Sequence, residues 1–196
     1  MDWKIHSKET RYAGHFSVEE YKLSHERFEG GFTPELTREL VRRNDAVAVV
    51  PYDPITDQVV LIEQFRMGVL REKEPWIKEI VAGLIEENEL PEEVARREMH
   101  EEAGCQLQDL IKIVDFYPSP GGFSELIHLY VGKISIADVA QYAGLDAEGE
   151  DIKIHIFSMN EIAEILARGE MRSAVGLIGL QWVVTNQDII KREWLS

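Results

Sequence analysis

Cysteine is nearly absent from this sequence. Cys105 is the single cysteine among 196 residues, so no disulfide can close within the chain, and the expected compartment is a reducing one, the cytoplasm. Positive charge is also scarce. Lys and Arg total 21 against 36 Asp and Glu, a formal net charge of −15. Such a chain repels nucleic-acid backbones, so DNA and RNA are not expected partners, and it repels small phosphate compounds unless a cation intervenes. Long apolar runs are missing. "AVGLIGLQWVV" from Ala174 falls well short of the about 20 residues that span a bilayer, so no membrane association is expected. The opening "MDWKIHSKET" lacks the apolar centre of a secretion signal. Repeats and low-complexity tracts are absent too.

What remains is ordinary globular material. Hydrophobic residues make up 44% and charged residues 29%, enough for a sizeable core in one domain with a modest N-terminal addition. We divide the chain at 1–45 and 46–196. The stretch from Phe16 to Phe28 alternates loosely and ends at Gly30-Gly31, as a strand or hairpin arm would. The N-terminal arm from Trp3 to Phe28 has no obvious internal partner of matching length. "TPELTRELVRR" from Thr33 opens like a helix yet runs into the strand pattern "AVAVVPYD". "DQVVLIEQFR", "EIVAGLI", "KIVDFYPSPGG", "ELIHLYVGKI" and "DIKIHIFS" read as strands. Ser158 to Glu161 form a capping box that opens a helix ending near Gly169, and Ser173 to Trp194 is helical. Strands mixed with a few helices argue α+β, a mixed sheet flanked by helices.

One helix is unusual. "PEEVARREMHEEAG" has Pro91 and two glutamates at its start and Gly104 at its stop. At about 100° per residue, with Val94 at 0°, Glu98 falls near 40°, Glu102 near 80° and Glu101 near 340°. The three acids share a face beside the apolar stripe of Ala95 and Met99. A solvated acidic face is the ordinary reading of a charge run. Here the acids adjoin the buried stripe rather than oppose it. Arg97 can reach Glu101, but Glu98 and Glu102 have no basic residue three or four positions away. Like charges at that spacing repel by roughly 0.2–0.5 kcal/mol per pair. A hard divalent cation would relieve them, and Mg²⁺ prefers carboxylate oxygens, carbonyls and water. His100 points elsewhere and reads as surface.

These residues resemble the Nudix box: Gly, five residues, Glu, seven residues, then Arg-Glu-apolar-x-Glu-Glu-x-Gly-apolar. Gly83, Glu89 and the run Arg97-Glu98-Met99-His100-Glu101-Glu102-Ala103-Gly104-Cys105 meet every fixed position. The resemblance implies an α/β/α sandwich with a mixed sheet, and hydrolysis by water of a nucleoside diphosphate linked to another group, with Mg²⁺ or Mn²⁺. It implies that Glu98, Glu102 and the backbone carbonyl of Ala82 ligate metal, that Glu101 supports them, and that Glu89 and Arg97 orient the loop as an ion pair.

Beyond the box, "RYAGHFSVEEYKL", "LIEQFR", "SPGGFSE", "EDIKIHIFS" and "LIGLQW" look like the bacterial ADP-ribose pyrophosphatases, along nearly the whole chain. Pro120 stands 16 positions after Gly104, as in that group, and the "SQPWPFPxS" array of NADH pyrophosphatases is absent. This narrower likeness implies a homodimer with exchanged N-terminal strands. It implies a substrate site with Arg66 on the diphosphate, Leu84 beside the box, Glu125 at the terminal ribose, and Ser119, Pro120 and Gly121 shaping a loop. His15 and Phe16, with Arg38 and Glu39, would lie at the adenine; His15 departs from the aromatic more usual there. In the acidic loop "GLDAEGED", Glu148 matches the catalytic base and Glu150 a metal-linked acid. Two other readings stand beside this one. GDP-mannose or another nucleotide sugar is an alternative substrate. A ligand-sensing module that does not cleave is an alternative class, though it would expect a broken box or an attached basic domain.

Overall fold

The structure is a computed structural model and describes residues 1–145 and 149–195. The chain divides into two compact units. One comprises Met1–Asp45 with Tyr117–Leu126, and the other Ala46–Phe116 with Ile127–Ser196. The segment Tyr117–Leu126 thus groups with the N-terminal residues rather than with the chain around it.

The first unit is an antiparallel sheet in the order β1 (Trp3–Ala13), β2 (Ser17–His25), β3 (Leu36–Arg42). The expectation that the N-terminal arm lacks an internal partner is corrected here. β1 pairs with β2 from Trp3 opposite His25 to Ala13 opposite Ser17. The bend at Gly14 to Phe16 folds the arm on itself, so the hairpin is local. The ambiguous Thr33 segment is extended: Leu36 to Arg42 pairs along β2, and this tertiary pairing overrides the helix-like Thr33-Pro34 start. Ser119 to Ser124 extends the unit. The Ser119 carbonyl accepts from the amides of Gly122 and Phe123, and Val41 bonds through its own amide and carbonyl to Gly122 and Ser124.

The second unit is a mixed sheet between helices. Its strands are β4 (Ala46–Asp53), β5 (Gln58–Phe65), β6 (Trp76–Glu79), β7 (Val81–Leu84), β8 (Asp109–Phe116), β9 (Ile127–Lys133), β10 (Tyr142–Ala143) and β11 (Ile152–Ser158). Its helices are α1 (Pro91–Ala103), α2 (Met159–Ala167) and α3 (Ala174–Leu195). The main path is β10-β11-β5-β4-β9-β8, with β4 and β9 parallel. β4 is buried along its whole length, as a central strand covered on both faces must be. Ala48, Val50 and Tyr52 pack with α2 and α3, whereas Val47 and Val49 pack with Val94, Ala95 and Met99 of α1. Helices on both faces make the α/β/α sandwich. Among the described residues no helix is long and apolar enough to cross a membrane.

β4 and β5 pair only near their turn, at Tyr52–Val59 and Asp53–Gln58. Beyond it β6 pairs with β5, and β7 pairs with β4. The single strand expected over Glu79–Ile85 is therefore two, because the chain changes partner at Ile80. That wedge carries Ala82 and Gly83 to α1.

The buried carboxylate of Glu19 ties the first unit together. It accepts hydrogen bonds from the Tyr21 hydroxyl at 2.7 Å and Arg42 Nε at 3.1 Å, and it pairs with Lys8 at 2.8 Å. Lys8 first, then Tyr21, holds its pKa down to about 2 from an ordinary 4.5. A lowered folded value means that this contribution is complete above the ordinary pKa and fades as pH falls toward the folded one. We expect Glu19→Gln to speed amide hydrogen exchange across β1, β2 and β3 near neutral pH. The gap from wild type should close as pH falls from about 4.5 to about 2. A gap of constant size over that range would mean that Glu19 acts by shape alone.

Candidate active site

Helix α1 presents two carboxylates to β7. Glu93 reaches back to the amide of Leu90 at 3.4 Å, and Gly104 ends the helix in the left-handed region at φ 61°. Between them Val94, Ala95, Met99 and Ala103 are buried in the sheet. Glu98 and Glu102 sit at the edge of that stripe, one turn apart. Glu102 is only 3% exposed, and its carboxylate accepts the Ala82 amide at 3.0 Å. Gly83 lies directly against the Glu98 carboxylate, and a Cβ there would overlap it. A glycine is therefore required for Glu98 to occupy this place.

Arg97 holds the rim. Its Nη1 donates to Glu98 at 2.7 Å and to Glu101 at 3.1 Å; its Nη2 donates to the Leu84 carbonyl at 3.5 Å, and its Nε lies 3.6 Å from Glu89. Glu98 thus has a basic partner in its immediate neighbour, although none lies three or four positions away. Spacing on a helix identifies facing Cβ atoms, but the long arginine bends along the surface to its immediate neighbour. His100 is exposed, as expected.

Burial nonetheless dominates the electrostatics. It pushes the Glu98 carboxyl up to about 7, against the pull of Arg97. It pushes Glu102 up to about 8, against the Ala82 hydrogen bond, and Glu98 and Glu150 add to the rise. Glu150, whose carboxylate accepts the Leu145 amide at 3.4 Å, is close enough to affect both. Arg66, just beyond β5, works the other way on Glu102. Its Nε pairs with Glu79 at 2.6 Å. Glu79 had no marker in the sequence, because only the β5–β6 register brings it near Arg66.

The other expected residues fall as follows. Ala82 and Leu84 lie in β7. His15 and Phe16 occupy the bend after β1 with their rings edge to face, and the Arg43 guanidinium lies 5.5 Å from the Phe16 ring centre. Arg38 and Glu39 are exposed on β3. Ser119, Pro120 and Gly121 form an exposed turn, and Glu125 is buried 3.3 Å from Arg43 Nε. Burial raises the Glu125 pKa. Arg43 was not singled out in the sequence, since nothing near it in the chain foretells Glu125. His15, Phe16, Arg38, Glu39 and the 119–125 residues belong to the first unit. Arg66, Leu84 and the α1 acids belong to the second. Glu148, the expected base, lies outside the described residues.

A model of the NUDIX domain matches residues 42–175. The chain belongs to the Nudix family. Its relatives include the ADP-ribose pyrophosphatase of Haemophilus influenzae, 37% identical over 99% of this chain and 91% of that protein. The ADP-ribose pyrophosphatase of Escherichia coli strain K12 is 39% identical over 98% and 93%. A GDP-mannose pyrophosphatase of Escherichia coli is 32% identical over 76% and 78%. A solved structure of an ADP compounds hydrolase has the same fold, with TM-score 0.71 and 24% identity over 100% of this chain and 95% of that one.

A Nudix hydrolase of this kind works with a divalent metal. Among the described residues no three acidic, histidine or cysteine side chains are grouped to hold an ion by themselves. Glu98 and Glu102 still fit one. They are a half-buried and a buried oxygen donor, both proton-seeking, and a hard cation commonly takes one or two carboxylates and fills its shell with water and substrate phosphates. For the metal-free protein the sign is definite. Both folded pKa values lie above the ordinary 4.5, so the folded state binds more protons, and stability falls as pH rises through about 7 and about 8. A cation reverses that loss. We expect the melting temperature in EDTA to drop across this range, and the increase on adding divalent cation to grow with it. A cation effect equal at about pH 6 and about pH 9 would place the ion elsewhere.

Proposed function

We propose that this Nudix hydrolase cleaves the diphosphate of ADP-ribose to AMP and ribose 5-phosphate, using Mg²⁺, with Mn²⁺ as a substitute. The half-buried Glu98 against Gly83, together with the buried Glu102 on the Ala82 amide, carries the proposal. It is supported by the two ADP-ribose pyrophosphatase relatives, whose likeness runs through nearly the whole chain. The likeness to the GDP-mannose pyrophosphatase is lower and shorter, which leaves that substrate as the second reading.

The chemistry follows from charge. A diphosphate is anionic, and a water nucleophile meets it only when that charge is offset. When bound, the cation neutralises and polarises phosphoryl oxygens. Glu98, Glu102, the Ala82 carbonyl and Glu150 would hold it. Arg66 offers the diphosphate its guanidinium, with Glu79 fixing the orientation through Nε. Leu84 borders the box. Glu148 takes the proton from water as its oxygen bonds to phosphorus and the bond from phosphorus to the bridging oxygen breaks. His15, Phe16, Arg38 and Glu39 receive the adenine, while Ser119, Pro120, Gly121 and Glu125 receive the terminal ribose.

We expect kcat/KM for ADP-ribose to exceed that for GDP-mannose, with EDTA abolishing both; the reverse ratio reassigns the substrate. In the same assay Glu148→Gln should lower kcat by about 10²–10⁴-fold with little change in KM. If Glu150→Gln alone behaves so, the base lies two residues later.

Assembly is the second part of the proposal: a homodimer in which N-terminal residues of one chain serve the partner's adenine site. All of β1 is exposed, including Trp3, Ile5 and Tyr12. Apolar side chains displayed along an edge strand invite pairing. Sedimentation should find a dimer at assay concentration, and a fully active monomer would overturn this part.

A further inference from the structure

β5 leads from the core toward Arg66, and its α1-facing row runs Val60, Ile62, Gln64, Arg66. Alternate residues of a strand share a face, and Val60 and Ile62 pack with Val94, Ala95 and Met99 of α1. Gln64 continues that row in unbroken register, opposite Ile77 of β6. It is 5% exposed, and its Nε2 is buried with no hydrogen-bond partner among the described residues. Glu79, the partner of Arg66, stands opposite Ile62. The Arg66–Glu79 bridge therefore passes across the Gln64 position on the same face. Glu102 is near enough to feel the Arg66 charge. In the register Gln64 thus falls between Arg66 and the position opposite Glu79, on the face that carries their bridge.

Buried N–H groups without an acceptor are rare, because the lost hydration is not repaid. Methionine would fill nearly the same volume without that penalty. The amide is also well chosen for its neighbours. An ammonium in its place would pair with the acids of α1, whereas the neutral amide is left without a partner beneath the Arg66–Glu79 bridge.

We propose that Gln64 is a substrate-binding residue that donates its side-chain N–H to a non-bridging phosphoryl oxygen of the diphosphate gripped by Arg66. This rests on the ADP-ribose reading above. Gln64 and Arg66 together then set the rotation of the diphosphate, one by a directed neutral donor and the other by charge.

The test compares wild type, Gln64→Met and Gln64→Glu in three measurements. These are melting of the metal-free protein, calorimetric binding of the non-hydrolysable α,β-methylene analogue of ADP-ribose with Mg²⁺, and kcat/KM on ADP-ribose. Gln64→Met should melt at or above wild type while losing about 10- to 100-fold in analogue affinity and kcat/KM, the worth of a hydrogen bond to a charged acceptor. Gln64→Glu should lose more, since it turns an anion toward the diphosphate. Retention of wild-type affinity and kcat/KM within about twofold by either variant overturns the proposal. So does a Gln64→Met variant whose lost binding accompanies a lowered melting temperature, the mark of a packing role. A wild-type chain that neither binds the analogue nor cleaves ADP-ribose defeats the substrate reading and this inference together. An active wild type with an unaffected Gln64→Met defeats this inference alone.

Discussion

Two carboxylates drawn one helical turn apart into the edge of the core, Glu102 fully and Glu98 partly, are the constraint around which the second unit is arranged. Glu98 and Glu102 can hold that position only if β7 runs beside α1. β7 is there because β4 and β5 splay beyond their turn and the chain crosses between them at Ile80. Ala82 then offers its amide to Glu102, and Gly83 leaves room for Glu98. The same local geometry explains the glycine at each end of the motif. Gly83 admits a side chain from α1, and Gly104 turns the backbone out of α1 at positive φ.

Which effect wins at this site can be read from directions alone. Arg97 and the Ala82 amide both favour ionised carboxylates, yet both carboxyls titrate above their ordinary range. Desolvation therefore outweighs the protein's own compensation. A hydrogen bond to a charged group contributes about 1.5–3 kcal/mol, while the penalty for a buried ion is several kcal/mol after relaxation. In the proposed function a bound cation would supply the remainder. Strain of this kind is functional: a site fully neutralised by its own arginines would have little affinity left for a cation.

Sequence made α1 legible because every determinant is local. Pro91, the first-turn glutamates and Gly104 punctuate one helix, and a single angular period places Glu98 and Glu102 together. The strands around it were legible as segments but not as partners. The change at Ile80 depends on the splay of β4 from β5, which no residue within the segment encodes. The pairing of β1 with β2 was missed, because the length of the arm suggested a partner elsewhere. Glu79 and Arg43 were missed for a common reason: each meets its counter-charge, Arg66 or Glu125, across strands or loops distant in the chain. Arg97 shows the limit of spacing rules for long side chains, since it reaches the adjacent Glu98.

The net charge of −15 suggests a protein hostile to anions, yet the proposed substrate is one. The two are compatible because charge acts over a limited range. At physiological ionic strength the Debye length is about 8 Å, so most surface acids are screened from a bound diphosphate. Only charges within the site decide. There Arg97 is already engaged by Glu89, Glu98 and Glu101, and has little to offer a substrate. Arg66 is held by Glu79 through Nε. In the proposed site it is therefore the arginine left for the diphosphate, and a cation held by the α1 acids would supply the rest of the positive charge. A nucleic-acid backbone needs an extended positive surface, so the scarcity of Lys and Arg that argues against it does not argue against a compact diphosphate.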